Sequence, residues 1–297
     1  MAVNNKTQEN QATLYGLAAV LLWSTVATGF KLGLAQLSVA QLLLLGTAIS
    51  WMVFLTAALA KRTFRLQSRD IRLVCLLGVI NPFLYYLILF AAYDRLPAYV
   101  AQPLNYTWAI TLALLAVPIL HQRLTRSAWL GVCLSYVGVV VLLTTADSGQ
   151  SEAIDPLGVF LALFSTLLWA SYWLLNTKST SEPVAMMFWS FSVGLPLIAI
   201  TCWLTDGLPA LTLDHILLGA WVGLLEMGVT FLLWQKALNL TNQAGRIGQL
   251  IFLSPFLSLL LIYFVLGETF GFGVVAGLAI IVAGIVLNNR SASTSVP

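Results

Sequence analysis

Charge is what this chain has least of. Charged residues make up 8% of its 297 positions, where a soluble domain carries about 25%. With 60% of the chain hydrophobic, so much apolar surface has no place in one water-soluble core. The solvent for most of the chain must be lipid. Histidine is nearly absent: His121 and His215 fall in connections expected on opposite sides of the membrane. There is no HExxH pair and no glycine-rich phosphate loop. An intramembrane protease or lipid-modifying enzyme would need a catalytic pair that the sequence does not offer. No catalytic residue, metal ligand or cofactor is therefore assigned. The three cysteines, Cys75, Cys133 and Cys202, are odd in number, lie inside apolar runs and lack metal spacing. They read as packing residues. The net charge of +3 does not point to nucleic acid, because the basic residues are gathered in loops for another reason.

What the chain does have is a succession of long apolar runs. A bilayer core about 30 Å thick takes roughly 20 apolar residues per spanning helix. Ten spans fit, at 12–34, 39–60, 71–92, 98–120, 127–145, 157–177, 184–204, 214–237, 243–265 and 270–288. They leave no room for a sizeable soluble domain. Apolar character runs all round each segment, unlike the alternation of a membrane β-strand, so the backbone must satisfy itself as helix. The first run is too long for a signal-peptide core and is expected to stay in the mature protein.

Basic residues set the expected orientation. With the N-terminus inside, Lys61, Arg62, Arg65, Arg69 and Arg72 lie in one cytoplasmic connection and Arg123 and Arg126 in another. Lys6, Lys178, Lys236, Arg246 and Arg290 fall on or near the same side. Of the 14 basic residues, only Lys31 and Arg95 are then outside. The acidic connections with Asp147, Glu152 and Asp155, and with Asp206 and Asp214, are expected outside as well. Both termini are expected in the cytoplasm.

A repeat underlies the ten spans. The stretch 146–156, expected to be a periplasmic connection, separates a first five-helix repeat (1–145) from a second (157–297). Leu22-Trp23-Ser24 is echoed by Leu168-Trp169-Ala170, and Lys31 and Lys178 follow those tryptophans at similar spacing. A constant shift of 146 residues pairs Ala91 with Ala237, Ala98 with Ala244, Gly131 with Gly277 and Gly138 with Gly284. An odd number of spans per half makes the halves enter the membrane from opposite sides. The expected fold is an all-α polytopic membrane protein, ten transmembrane helices as two inverted five-helix repeats. Such repeats are a transporter plan, with substrate near the midplane between the halves.

Polar groups inside the membrane carry the candidate site. A carboxylate at the middle of span eight, Glu226, costs on the order of 2–3 kcal/mol on insertion scales. Thr230 and Trp234 follow it at helical spacing, which places all three on one face. Two readings stand: a cavity carboxylate that meets an amino group or a proton, or a buried Glu that only joins helices. Gln102, Asn105 and Tyr106 in span four share a face, with Trp108 nearby, and Pro103 and Pro118 are expected to interrupt the helix. This face suits a watery cavity, or else hydrogen bonds between helices. Trp169, Tyr172 and Trp173 lie on one face of span six. Asn81, Pro82, Tyr85 and Tyr86 sit near the middle of span three, and Trp23 in span one. Aromatics at such depth are either core packing or flat cavity walls, whereas Trp129, Trp203 and Tyr263 fit the interfacial belt. Span nine adds Arg246, Gln249, Ser254 and Pro255, the last a possible hinge. Gly273, Gly277 and Gly284 look like close helix packing. Lys31, Glu268 and His121 read as interface or loop groups.

At this point the chain resembles a known family. The two five-span halves, the Leu-Trp-Ser and Leu-Trp-Ala signatures and the two Gly-x6-Gly ends resemble the drug/metabolite transporter superfamily, EamA type, over residues 12–288. Within it, the stretch from Ala12 through Leu22-Trp23-Ser24-Thr25 and the run Asn105-Tyr106-Thr107-Trp108 are similar to the bacterial aromatic amino acid exporters. Ala109 departs from that pattern, which has proline after the tryptophan. The resemblance implies a ten-helix monomer with a central cavity and efflux across the bacterial inner membrane.

The expected function is export of amino acids, aromatic ones favoured, by alternating access. Tyr85, Tyr106, Trp108, Trp169 and Trp173 would form apolar walls, with Trp23 and Asn81 beside them. Gln102, Asn105 and Gln249 would hydrogen-bond the solute, and Glu226 would attract its amino group or carry a proton. The expected partners are this small-molecule substrate and membrane lipid, with no nucleic acid. The alternative on the same fold is a broader metabolite or cationic-drug exporter. A receptor or enzyme that moves nothing is the other class, and the missing soluble domain counts against it.

Overall fold

The computed structural model describes residues 2–120, 124–147, 153–241 and 244–293. His121, Arg123 and Glu152 lie outside the described residues, as do the side chains of Lys6, Asp147, Arg246 and Arg290. The chain runs through α1 (Gln8–Leu34), α2 (Val39–Lys61), α3 (Ser68–Arg95), α4 (Ala98–Ile119), α5 (Arg126–Ala146), α6 (Pro156–Asn176), α7 (Pro183–Thr205), α8 (Leu213–Leu240), α9 (Ile247–Leu266) and α10 (Phe272–Ser293). Among the described residues, α1 to α9 are long and apolar enough to cross a membrane, and α10 is apolar over Phe272–Asn288.

Each expected span is present, and several extend beyond the apolar run because polar residues cap them. Ser38 starts α2 with a reciprocal capping box to Gln41. Asp155 and Glu182 accept backbone N–H bonds at the starts of α6 and α7, each followed by a proline in the first turn. The cysteine reading needs correction. Cys202 is buried, but Cys75 and Cys133 are exposed on the outer face of the bundle. A helix that is apolar all round does not reveal in sequence which of its faces is inward.

The shift of 146 residues reappears as geometry. A Cβ added to Gly131 would meet the Gly284 carbonyl oxygen at 2.5 Å, and one added to Gly138 would meet the Gly277 carbonyl oxygen at 2.8 Å. Moving either pair by 146 residues gives the other, so α5 and α10 cross with a local two-fold relation. A second match lies elsewhere. Arg95, ending α3, pairs with Asp155 before α6 at 3.2 Å. In the other half, Thr241 after α8 donates to Glu9 at the start of α1 at 2.8 Å. Glu9 is 146 residues before Asp155, and Arg95 plus 146 is Thr241.

The connections are tied down too. Asp70, only 2% exposed, accepts hydrogen bonds from the Ser181 hydroxyl at 2.6 Å and from the backbone N–H groups of Ser181 and Thr180 at 2.9 and 3.1 Å. A buried carboxylate needs such partners. It fastens the α2–α3 connection to the α6–α7 connection. At the opposite end Ser38 donates to Asp206 at 2.8 Å, fastening the α1–α2 connection to the one between α7 and α8.

Candidate functional site

Among the described residues, α1, α3, α4 and α8 are each broken near mid-length. α1 is interrupted at Thr25 and α4 at Thr107. In both, the threonine hydroxyl donates to the carbonyl three residues back, Leu22 at 2.8 Å and Leu104 at 2.7 Å, a local bond that competes with the helix ladder. In α3 the residue Asn81, followed by Pro82, leaves helical geometry (φ −141°, ψ 119°). In α8 a wide turn over Trp221–Gly228 ends at Gly228 (φ −106°, ψ −92°). Pro82 and Gly228 are again 146 residues apart. Freed backbone groups at this depth are tolerated only against protein or a cavity. Trp23 covers one of them, its ring N–H donating to the Glu226 carbonyl at 3.4 Å, and the Trp221 ring N–H donates to the Thr25 hydroxyl at the break in α1 at 3.1 Å.

Between these breaks lies a cavity of about 620 Å³. Ten of the eleven candidate residues line it: Trp23, Tyr85, Gln102, Asn105, Tyr106, Trp108, Trp169, Trp173, Glu226 and Gln249. Asn81 does not. It is buried at the break in α3, its Oδ1 without a hydrogen-bond partner, because the non-helical backbone turns it off the face that carries Tyr85. Thr230 also leaves the face expected of it. The wide turn of α8 shifts the register, so Trp234 lines the cavity with Glu226 while Thr230 is buried and bonds to the Leu225 carbonyl. Tyr86 and Tyr172, the other mid-depth aromatics, are packing residues behind the wall.

Glu226 is the one charged side chain among the described lining residues. Its Oε1 accepts from the Tyr86 hydroxyl at 3.0 Å. Trp169 is the hub of the wall: it stacks on Tyr85 at 4.5 Å and Tyr172 at 5.6 Å, and meets Trp173 and Trp108 edge-on at 5.7 and 6.5 Å. Asn105 donates to Ser165 at 3.1 Å. Two polar atoms on the lining residues are buried without a partner, the Gln102 carbonyl oxygen and the Trp173 ring N–H. A buried polar group is normally satisfied, and both atoms are shielded from the cavity as well, so a solute reaches them only if their side chains turn.

The sequence reading missed much of the floor, including Phe30, Leu89 and Tyr93. Helical spacing held the signal: Trp23, Ala27 and Phe30 follow one another on one face, as do Tyr85, Leu89 and Tyr93. At this end the cavity is shut. Lys31 donates to the carbonyls of Tyr93 and Leu96 at 2.9 and 3.1 Å, and Glu268 accepts from the N–H groups of Ala98 and Tyr99 at the start of α4. Lys31 and Glu268 are thus structural closures rather than loose interface groups. At the other end the lining reaches Thr177 and Gln249, both exposed.

Comparison with known proteins places this architecture. Residues 10–144 and 156–290 each match the model of the EamA-like transporter family. A protein of Clostridium kluyveri described as an uncharacterized transporter is 24% identical over 236 residues, covering 77% of this chain and 76% of its own length. A protein of Ancylobacter novellus described as the aromatic amino acid exporter YddG is 24% identical over 299 residues, covering 96% of this chain and 97% of its own. One solved structure shares the fold with a TM-score of 0.68 at 21% identity, over 97% of this chain and 99% of that one.

Proposed function

We infer that this chain, which belongs to the EamA-like transporter family, exports amino acids, aromatic ones favoured, across the bacterial inner membrane by alternating access. The observation that carries the reading is the cavity itself. Its wall is built on Tyr85, Trp108, Trp169 and Trp173, with one carboxylate, Glu226, facing in. Aromatic walls hold a flat side chain by offset and edge-on contacts. Glu226 answers an amino group, and Gln102, Asn105 and Gln249 answer the remaining polar atoms. The similarity to a protein described as an aromatic amino acid exporter supports the same substrate class. The basic connections support an orientation with both termini in the cytoplasm, so the exposed Thr177 end of the cavity faces the cytoplasm. A substrate would enter there and leave at the Lys31 end.

A broader cationic substrate range is the second reading. What favours it is the charge inventory: among the described residues the lining has an acid and no base, which suits an aromatic amine as well as a zwitterion. Counterflow into liposomes holding the purified protein separates the two. Exchange of radiolabelled phenylalanine, tyrosine or tryptophan supports the first reading. Uptake of a quaternary amine without any amino acid exchange replaces it with the second.

A further inference from the structure

The connection between α2 and α3 gathers five basic residues within 61–72, and they are not alike. Lys61 pairs with Glu182 at 3.3 Å, and Arg69 Nε donates to the Thr180 hydroxyl at 2.8 Å. Arg62, Arg65 and Arg72 are exposed, and their guanidinium groups make no hydrogen bond or ion pair among the described residues. The acids that could answer them are already engaged. Asp70 is buried under its bonds from Thr180 and Ser181, and Glu182 both pairs with Lys61 and caps α7. The basic residues at the far end of the bundle differ: backbone carbonyls hold Lys31 and Asp155 holds Arg95. Local geometry sets the free arginines beside an apolar face. Residues 63–67 lie outside any helix and alternate, with Phe64 and Leu66 half-buried and Arg65 and Gln67 exposed. Phe64 packs against Phe188, and its carbonyl accepts from the ring N–H of the exposed Trp189 at 2.8 Å. A tryptophan so placed is typical of the membrane interface. At the start of α3, Arg72 shares an exposed face with Ile71, Cys75 and Leu76. That face passes from charged to apolar within one turn.

We propose that the α2–α3 connection is a docking surface for anionic phospholipid, the headgroup among Arg62, Arg65 and Arg72 and an acyl chain along Ile71, Cys75 and Leu76. Charge complementarity supplies the first half of the argument. Clusters of basic residues next to a membrane helix attract anionic headgroups, and a guanidinium offers a fork of donors that matches a phosphate. The apolar face supplies the second half. A free phosphate or an acidic peptide has no use for exposed Ile71, Cys75 and Leu76, whereas a lipid meets the arginines and that face at once. The surface also adjoins the exposed end of the cavity without being part of it, because Asp70 joins this connection to Thr180 and Ser181, shortly after Thr177 of the lining. The proposal stands whatever the chain transports.

The test uses the full chain in a neutral detergent, titrated with dioleoyl phosphatidylglycerol or dioleoyl phosphatidylcholine, with bound lipid counted by native mass spectrometry. It needs no transport, so its outcome is separate from that of counterflow. Phosphatidylglycerol should bind at least about tenfold more tightly than phosphatidylcholine. Each basic residue near a membrane surface is worth about fivefold in affinity for anionic lipid. Arg62→Gln, Arg65→Gln and Arg72→Gln should therefore each weaken phosphatidylglycerol about fivefold, and the triple variant about a hundredfold. Leu76→Asn, which interrupts the apolar face, should weaken it as well. Arg126→Gln, exposed at the start of α5 and outside the patch, should change nothing. Equal binding of the two lipids overturns the proposal, as does a loss with Arg126→Gln as large as with Arg65→Gln. Displacement of the lipid by inorganic phosphate at equal concentration also overturns it, since the acyl chain would then add nothing. If the triple variant does not reach the membrane, the Arg62→Gln/Arg65→Gln pair, at positions outside the helices, decides in its place, with an expected loss of about thirtyfold.

Discussion

The Tyr86 hydroxyl donates to Glu226 Oε1 across 3.0 Å, joining the broken middle of α3 to the wide turn of α8. Tyr86 is fully buried while Glu226 also faces the cavity. The tyrosine therefore holds one carboxylate oxygen and leaves the other for a solute. Glu226→Gln keeps the shape and the bond from Tyr86 but removes the charge. Its expression should be normal, and its transport should fall at least about tenfold at both pH 6 and pH 8, as for a lost charge-assisted contact. Normal transport at both values would leave Glu226 as a joint between helices.

Trp169 is 7% exposed and in contact with five other rings, so truncation to alanine would cost about 3–5 kcal/mol in packing. Trp169→Phe keeps most of that packing and shrinks the flat surface. The KM for an aromatic amino acid should rise about threefold to tenfold, in line with the worth of a ring contact. The rate at saturation should change little. A fall in rate with constant KM would mean that Trp169 serves the conformational cycle instead.

Ten of the eleven residues picked for the site meet at one cavity, and the reason is physical. Polar and aromatic groups at mid-depth are costly against lipid, so their presence in an apolar run marks the inner face. The same logic fails for apolar residues. Phe30 and Leu89 line the floor, yet nothing in their chemistry separates them from Leu14 and Leu21, which face outward. Helix breaks were the other blind spot. Pro82 marked the one in α3, but the break in α1 rests on a threonine back-bond, and the wide turn of α8 has no proline at all. Asn81 and Thr230 were misplaced on the cavity face for that reason. The ten spans and the repeat shift, by contrast, depend only on run length and order.

Orientation has its own test. Reporter fusions after residue 66 should read cytoplasmic and those after residue 150 periplasmic, as the basic connections require. The same reading from both would break the ten-span order between them.

Asp155 starts α6 and lies outside the membrane span. The Leu157 N–H, first, and then the Arg95 guanidinium hold its carboxyl below the ordinary value of 3.8. A lowered folded-state value means the ionised form is the one the fold favours. Its contribution is fully present above 3.8 and is lost as pH falls through the lower folded value. Asp155→Asn should lower the thermal midpoint by only about 1–2 °C at pH 7, since the pair with Arg95 is partly exposed. The gap between variant and parent should close on the acid side of 3.8. A gap that persists there would assign the effect to the N-cap shape and not to the charge.

The glycine crossing of α5 and α10 gives the sharpest test of the repeat. A Cβ at Gly138 would lie 2.6 Å from the Ile281 backbone nitrogen, and one at Gly284 would lie 2.5 Å from the Gly131 carbonyl oxygen. These neighbours are backbone, which cannot rotate away, so the helices themselves must part. Overpacking of this kind costs about 1–3 kcal/mol, and in lipid close backbone approach is the main force that joins helices. Gly138→Ala and Gly284→Ala occupy matching places in the two halves and should lower the thermal midpoint in detergent by similar amounts. Gly271→Ala, where a Cβ would meet nothing within 4 Å, should leave it unchanged. Gly131 and Gly138 share one interface, so once the helices have parted for the first methyl the second meets less resistance. The Gly131→Ala/Gly138→Ala pair should then fall short of the sum of its singles, as coupled neighbours do. Full additivity, or a loss at Gly138 no larger than at Gly271, would mean that α5 and α10 are not held by this crossing.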